Sequence, residues 1–118
     1  FRFDDGPKAD VFLVCYSITD SNSFNNAIER SIPQIRKRCP ATPFILVGLQ
    51  SDAENWRTVS KEEARYFATK HKCTNKECSS VSGDNVTNTI ETAVRAAQDS
   101  KIKQGRLLGF FKCFTTQL

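Results

Sequence analysis

No methionine occurs in these 118 residues, so the sequence holds no initiator and reads as the later part of something longer. No apolar run reaches the roughly 18–20 residues that a membrane-spanning helix requires, and no secretory leader opens the chain. Internal repeats and low-complexity stretches are also missing. With 39% hydrophobic and 25% charged residues, disordered and collagen-like classes are excluded, and the length allows one domain. Acidic residues are missing from the last stretch, where residues 101–118 hold Lys101, Lys103, Arg106 and Lys112 but no Asp or Glu. The whole chain carries 17 basic and 13 acidic residues, a net charge of +4, so this tail supplies the entire excess and the body is neutral. A nucleic-acid-binding domain would carry its positive charge on the fold, and no nucleic-acid partner is expected. A basic tail suits an anionic membrane surface better.

Metal and disulfide frameworks are equally thin. The five cysteines, Cys15, Cys39, Cys73, Cys78 and Cys113, are odd in number and irregularly spaced. Cys73 and Cys78 miss the C-x-x-C spacing of a zinc or redox site, and His71 is the one histidine at hand. Cys15 and Cys39 read as small buried apolar residues. Without a secretory signal, the expected compartment is reducing and cytosolic.

What is present is an alternation of buried strands and amphipathic helices. Residues 10–18 form a near-continuous apolar run, as in a strand covered on both faces. Asp20, Ser21, Asn22 or Ser23 can cap the helix that follows, in which Phe24, Ala27, Ile28, Ile32, Ile35 and Cys39 recur at helical spacing. Pro33 is expected to kink it, and Pro40 and Pro43 to stop it. Phe44 to Gly48 is a second buried strand, ending in the loop 49–52. Ser60 and Glu63 form a capping box, and the helix they open puts Ala64, Phe67, Ala68 and His71 on one face. A weaker strand at about 74–79 leads to the loop 79–83. The last helix is expected to turn Val86, Ile90, Ala93, Val94 and Ala97 inward. The order β-α-β-α-β-α implies a parallel sheet with right-handed crossovers. In such sheets ligands bind beyond the carboxyl ends of the strands, which singles out loops 49–52 and 79–83.

Asp52 stands just past a buried strand, and a carboxylate there can accept from two adjacent N–H groups, as guanine presents at N1 and N2. The stem of Gln50 can lie against a flat ring. Backbone N–H groups of Ser79, Ser80 and Val81 can donate to a carbonyl on the same ring. On the residues alone, a turn or cap role for Asp52 competes with this reading.

The sequence resembles Rho-family small GTPases. The resemblance lies in Asp10 to Ile18, in Ser23-Phe24-Asn25-Asn26, in Pro33-Gln34-Ile35, in Cys39-Pro40 and in Thr42 to Gly48. Further on, Glu77-Cys78-Ser79 matches an E-C-S-A element and Glu91 to Ala97 resembles the last helix, so the similarity spans about residues 8–99. It implies an α/β fold, the carboxyl-terminal half of a three-layer parallel-sheet P-loop-type G domain. Residues 1–100 would be the partial G domain and 101–118 a basic and hydrophobic tail. It also implies that Gln50 and Asp52, with Ser79, Ser80 and Val81, bind the base of GTP or GDP. Effectors, exchange factors and GTPase-activating proteins are the implied partners, with output to the actin cytoskeleton.

Several departures from that pattern matter. Leu49 stands where the family has an Asn or Thr that ties this loop to the phosphate-binding loop. Ser80 replaces an Ala, a mild change because a backbone N–H makes the contact. Asp52 reaches Ser60 without the family's extra helix. No G-x-x-x-x-G-K-[ST], D-x-x-G or switch threonine occurs, and those parts cradle phosphates and hold Mg²⁺. A complete parent is expected to hydrolyse GTP, with Mg²⁺ bound only through the missing half. The chain alone is expected to be inactive, with no catalytic residue assigned. The strand at 11–17 should also have an open edge and the piece should be poorly stable.

In the tail, Leu107, Leu108, Phe110, Phe111 and Phe114 accompany the basic residues. A hydrophobic tail packed back on the body and a membrane anchor are both open; an acyl chain plus basic residues would supply the two signals anchoring needs. Cys113 is two residues too early for a prenylation box. Phe110 to Phe114 resembles the palmitoylated Cys-Phe tails of the atypical Wrch and Chp branch, making Cys113 the lipidation candidate and the inner face of the plasma membrane the expected site. Trp56 reads as a partly buried loop cover, His71 as structural, and Arg36-Lys37-Arg38 as a solvated face. The competing function is a non-catalytic pseudo-GTPase interaction module. A receiver-like domain fails for want of an acidic pair and a lysine at three strand ends.

Overall fold

The computed structural model describes residues 9–104 and 112–115, the side chains within 9–102. Four parallel strands form one sheet in the order β3-β2-β1-β4. They are β1 (Phe12–Ser17), β2 (Phe44–Leu49), β3 (Thr74–Glu77) and β4 (Lys112–Thr115). The helices are α1 (Ser21–Asn26), α2 (Ile32–Arg38), α3 (Lys61–Lys70) and α4 (Val86–Gln104). A boundary at residue 100 therefore falls inside α4.

Strand periodicity sorts the core into two clusters. Phe12, Val14, Tyr16, Phe44 and Leu46 face one way and meet Phe24, Ala27, Ile32 and Ile35 of the first helical run with Ala64 and Ala68 of α3. Val11, Cys15, Ile45 and Val47 face the other way and meet Ala93 and Ala97 of α4. Helices on both faces make three layers, the expected α/β architecture.

Local chemistry sets the ends of the helices. Asp20 alone of the four candidate caps accepts from the amides of Asn22 and Ser23, at 2.9 and 3.3 Å. Ser23 points inward instead, accepting from the Ser17 amide at 2.9 Å. Pro33 does not break the run. A π-helical turn, Ala27–Ser31, precedes it, and the Ile32 amide reaches the Ala27 carbonyl. This wider register accommodates a residue that has no amide to donate. Ser60 accepts from the Glu63 amide at 3.0 Å, as the capping box predicts.

Three expectations are corrected. Ile90 is 43% exposed, and Thr89 takes the inward position, buried with its hydroxyl on the Asn85 carbonyl at 2.8 Å. Trp56 is 75% exposed rather than partly buried, in a short 3₁₀ turn (Glu54–Trp56) that buries none of its residues. Arg36, Lys37 and Arg38 are all exposed, the solvated face expected of them, and the Arg36 guanidinium lies 4.7 Å from the Phe44 ring centroid and donates to the His71 carbonyl. The edge of β1 is not open either: β4 pairs with it in parallel, from Phe12 opposite Lys112 to Cys15 opposite Thr115. An apolar strand with unpaired backbone is a template for another strand, and the chain's own tail fills it. The backbone of Cys113 lies opposite Leu13, whereas Leu107, Leu108, Phe110 and Phe111 lie outside the described residues.

Candidate functional site at the carboxyl ends of the strands

The loops after β2 and β3 meet at one end of the sheet. The Ser51 amide donates to the Cys78 carbonyl at 3.1 Å, and the Cys78 amide to the Gly48 carbonyl at 2.9 Å. Asp52 is exposed. Its Oδ1 accepts from the hydroxyl of Ser79 at 2.6 Å. Ser79 is fully buried and its Oγ also accepts from the Ser82 amide at 3.2 Å. One oxygen of the carboxylate is thus held by a charge-assisted hydrogen bond, while Oδ2 has no hydrogen bond within the described residues.

Gln50 sits beside it in the left-handed region, with φ of 63°, a conformation unusual for a residue with a long side chain. Its Oε1 accepts from the hydroxyls of Ser17 and Thr19. That anchors the amide at the end of β1. Leu49, the last residue of β2, is half-buried and packs against the α4-side cluster.

Of the other three sequence candidates, Ser79 does not offer its amide, which donates to the Asp84 carbonyl at 3.0 Å. Its contribution is the hydroxyl that orients Asp52. Ser80 and Val81 are both exposed, Val81 at 83%, and neither amide has a backbone partner among the described residues.

Two residues that the sequence reading passed over hold this rim together. Arg57 donates to both oxygens of Glu77 at 2.9 and 2.6 Å, to Glu54 at 2.9 Å and to the Val59 carbonyl at 2.8 Å. These bonds raise its pKa further and keep Glu54 below the usual carboxylate range. Asn85, with φ of 60°, donates its side-chain amide to the Glu77 carbonyl at 2.8 Å. No local pattern marks the Arg57–Glu77 pair, whose members stand 20 positions apart, or the reach of Asn85 back to Glu77.

A neighbouring contact constrains β2. A Cβ at Gly48 would come within 2.8 Å of the Tyr16 hydroxyl and 3.1 Å of Glu77 Cγ. Tyr16 is itself buried, and burial together with the charge of Glu77 pushes its pKa well up. Among the described residues, no cluster of three metal-ligating side chains occurs. No described helix is long and apolar enough to cross a membrane.

The site therefore belongs to the parallel α/β proteins that gather ligand-binding groups at the carboxyl edge of the sheet. The sequence model of the Ras family matches residues 6–99. The chain belongs to that family and is a small GTP-binding domain.

Proposed function

We propose that this chain supplies the guanine-recognising part of a Rho-like small GTPase, a GTP- and GDP-dependent switch in signal transduction. The observation that carries the reading is the exposed Asp52 carboxylate, oriented by Ser79 on a domain of the Ras family. Asp52 would accept from N1–H and N2–H of guanine. The Ser80 and Val81 amides lie on the loop that would face the base carbonyl, and the anchored Gln50 offers its stem to the ring. A bidentate pair of this kind contributes about 1.5–3 kcal/mol per charged hydrogen bond. Phosphate cradling and hydrolysis need groups these residues do not supply, so this part selects the base and leaves chemistry to the rest of the parent.

Effectors, exchange factors and activating proteins would read the parent's nucleotide state, with output to the actin cytoskeleton. The basic tail would bring it from the cytoplasm to the inner face of the plasma membrane, with Cys113 as the acylated residue of a Wrch- or Chp-like tail.

Saturation-transfer NMR of the 118-residue chain with GDP, ADP and xanthosine diphosphate tests base selection. GDP should give the strongest signal. Asp52→Asn, which exchanges an acceptor for a donor, should weaken GDP at least about tenfold and favour the xanthine nucleotide. Equal signals for GDP and ADP, unchanged by Asp52→Asn, would remove the reading.

A second reading, a pseudo-GTPase interaction module, draws on Leu49. Its side chain is committed to the α4-side core and offers no polar tie to a phosphate-binding loop. Leu49→Asn separates the two: a gain in nucleotide affinity favours a weakened binder, and no binding in either form favours the module.

A further inference from the structure

The outer flank of β3 carries a groove that the base site does not use. β3 is the last strand of the sheet, so one side of its backbone meets β2 and the other meets none of the described strands. Backbone groups alternate between the two sides along a strand. The Cys78 amide points inward to Gly48, so Lys76 and Thr74 also point inward, while Asn75 and Glu77 point outward. Asn85 takes the Glu77 carbonyl at 2.8 Å. The N–H and C=O of Asn75 and the N–H of Glu77 are left along the edge. Between this edge and α3 runs a cleft of about 540 Å³, lined among others by Lys61, Arg65, Thr69, Asn75 and Lys76.

Two properties indicate what would fit. The Oδ1 of Asn75 is buried and has no hydrogen-bond partner among the described residues. An acceptor in that position is costly until it meets a donor. The charge of the cleft is also unbalanced. Its lining holds four basic side chains, Arg57, Lys61, Arg65 and Lys76, against three acidic ones, Glu54, Glu77 and Asp84, and Arg57 is paired with both Glu54 and Glu77. Lys61, Arg65 and Lys76 make no ion pair among the described residues, and Asp84 is the remaining acid of the lining. Lys61 and Arg65 are one helical turn apart on α3, so both charges stand over the same stretch of edge.

We propose that this cleft binds an extended acidic peptide segment of a partner protein. The segment would lie along β3 as a fifth strand, exchanging main-chain hydrogen bonds with Asn75 and Glu77. A donor from it would satisfy Asn75 Oδ1, and its carboxylates on the α3 side would meet Lys61 and Arg65. Strand addition of this type takes affinity from the backbone and selectivity from flanking side chains. The lysine that repels a basic strand from this edge attracts an acidic one. The proposal needs no nucleotide and stands apart from base recognition.

Fluorescence anisotropy of the 118-residue chain with a fluorescein-labelled peptide of alternating Glu and Val, against its Gln and Val counterpart, tests it. The glutamate peptide should bind and the glutamine peptide should bind at least about tenfold more weakly. Binding should weaken as salt rises. Lys61→Glu with Arg65→Glu, both exposed and so compatible with folding, should cost at least about tenfold. Asn75→Pro should also weaken binding, because it removes an outward amide and leaves the inner ladder to β2 intact. Circular dichroism checks that each variant is folded. If the two peptides bind alike, or if neither variant changes binding, attachment lies elsewhere, such as on the basic tail, and the proposal falls. Absence of binding at millimolar peptide overturns it equally.

Discussion

The two faces of the sheet are built from different materials. Under α1, α2 and α3 the core is Phe12, Tyr16, Phe24, Ile32 and Ile35, all fully buried, with edge-to-face ring contacts from Tyr16 to Phe24 at 4.8 Å and from Phe24 to Phe67 at 5.8 Å. Under α4 the helix contributes Ala93 and Ala97, and strand residues such as Ile45 and Val47 supply the bulk. The first face buries large side chains and gains stability from apolar area. The second gains it from close approach of a helix with almost no side chain in the way. That helix is also pinned by charge, through the pair of Lys101 with buried Asp10 at 2.6 Å.

The difference predicts opposite sensitivities to side-chain size. Phe24→Ala should cost about 3–5 kcal/mol, since it empties the centre of the aromatic face; urea unfolding at constant slope measures it. Ala97→Leu should cost about 1–3 kcal/mol by overfilling the α4 side, and a tolerated leucine would break the contrast by showing slack there. Asp20→Ala sharpens it, because it removes the cap of α1 without touching either core and should cost only about 1 kcal/mol.

The smallest effect is a pH dependence confined to the first face. Burial, followed by the nearby charges of Lys70 and Arg36, keeps the His71 imidazole below its ordinary value. On acidification the unfolded chain therefore takes up this proton before the folded one. The contribution to stability is full above the usual pKa of about 6.5 and is lost as pH falls below it. Comparing urea midpoints of the native chain and His71→Gln between pH 7.5 and 5.5 should show the native chain losing slightly more. Equal losses would mean that His71 is as well solvated as in the unfolded chain. The same desolvation pushes the Cys73 thiol up to about 11, so it stays protonated at neutral pH.

Much of this was legible from residues alone where a signal is local. Continuous apolar runs placed β1 and β2, helical spacing placed the inward faces of the first helical run and α3, and Ser60 with Glu63 marked the start of α3. The α/β class and the small GTP-binding family followed from motif order, although the finer branch rests on resemblance. Patterns failed where apolarity misleads. Ile90 has the expected spacing but faces out, and Thr89 faces in because an Asn85 carbonyl satisfies its hydroxyl. The four-residue β4 at the edge of β1 had no signature, since whether a short basic and aromatic segment pairs depends on which edge its preceding helix brings it to.

The candidate site divides in the same way. The sequence by itself determined that Gln50 and Asp52 stand just after a buried strand, because its end is written in a hydrophobic run and the loop that stops it, and it put Ser79 after a weaker third strand. Only the tertiary structure decided that Ser79 uses its hydroxyl on Asp52 and its amide on Asp84, and that Arg57 clamps Glu77 across the rim. A hydrogen bond between residues 27 positions apart, as for Ser79 and Asp52, depends on the distance between two loops. That distance is set by strand register and packing, which no local stretch of sequence contains.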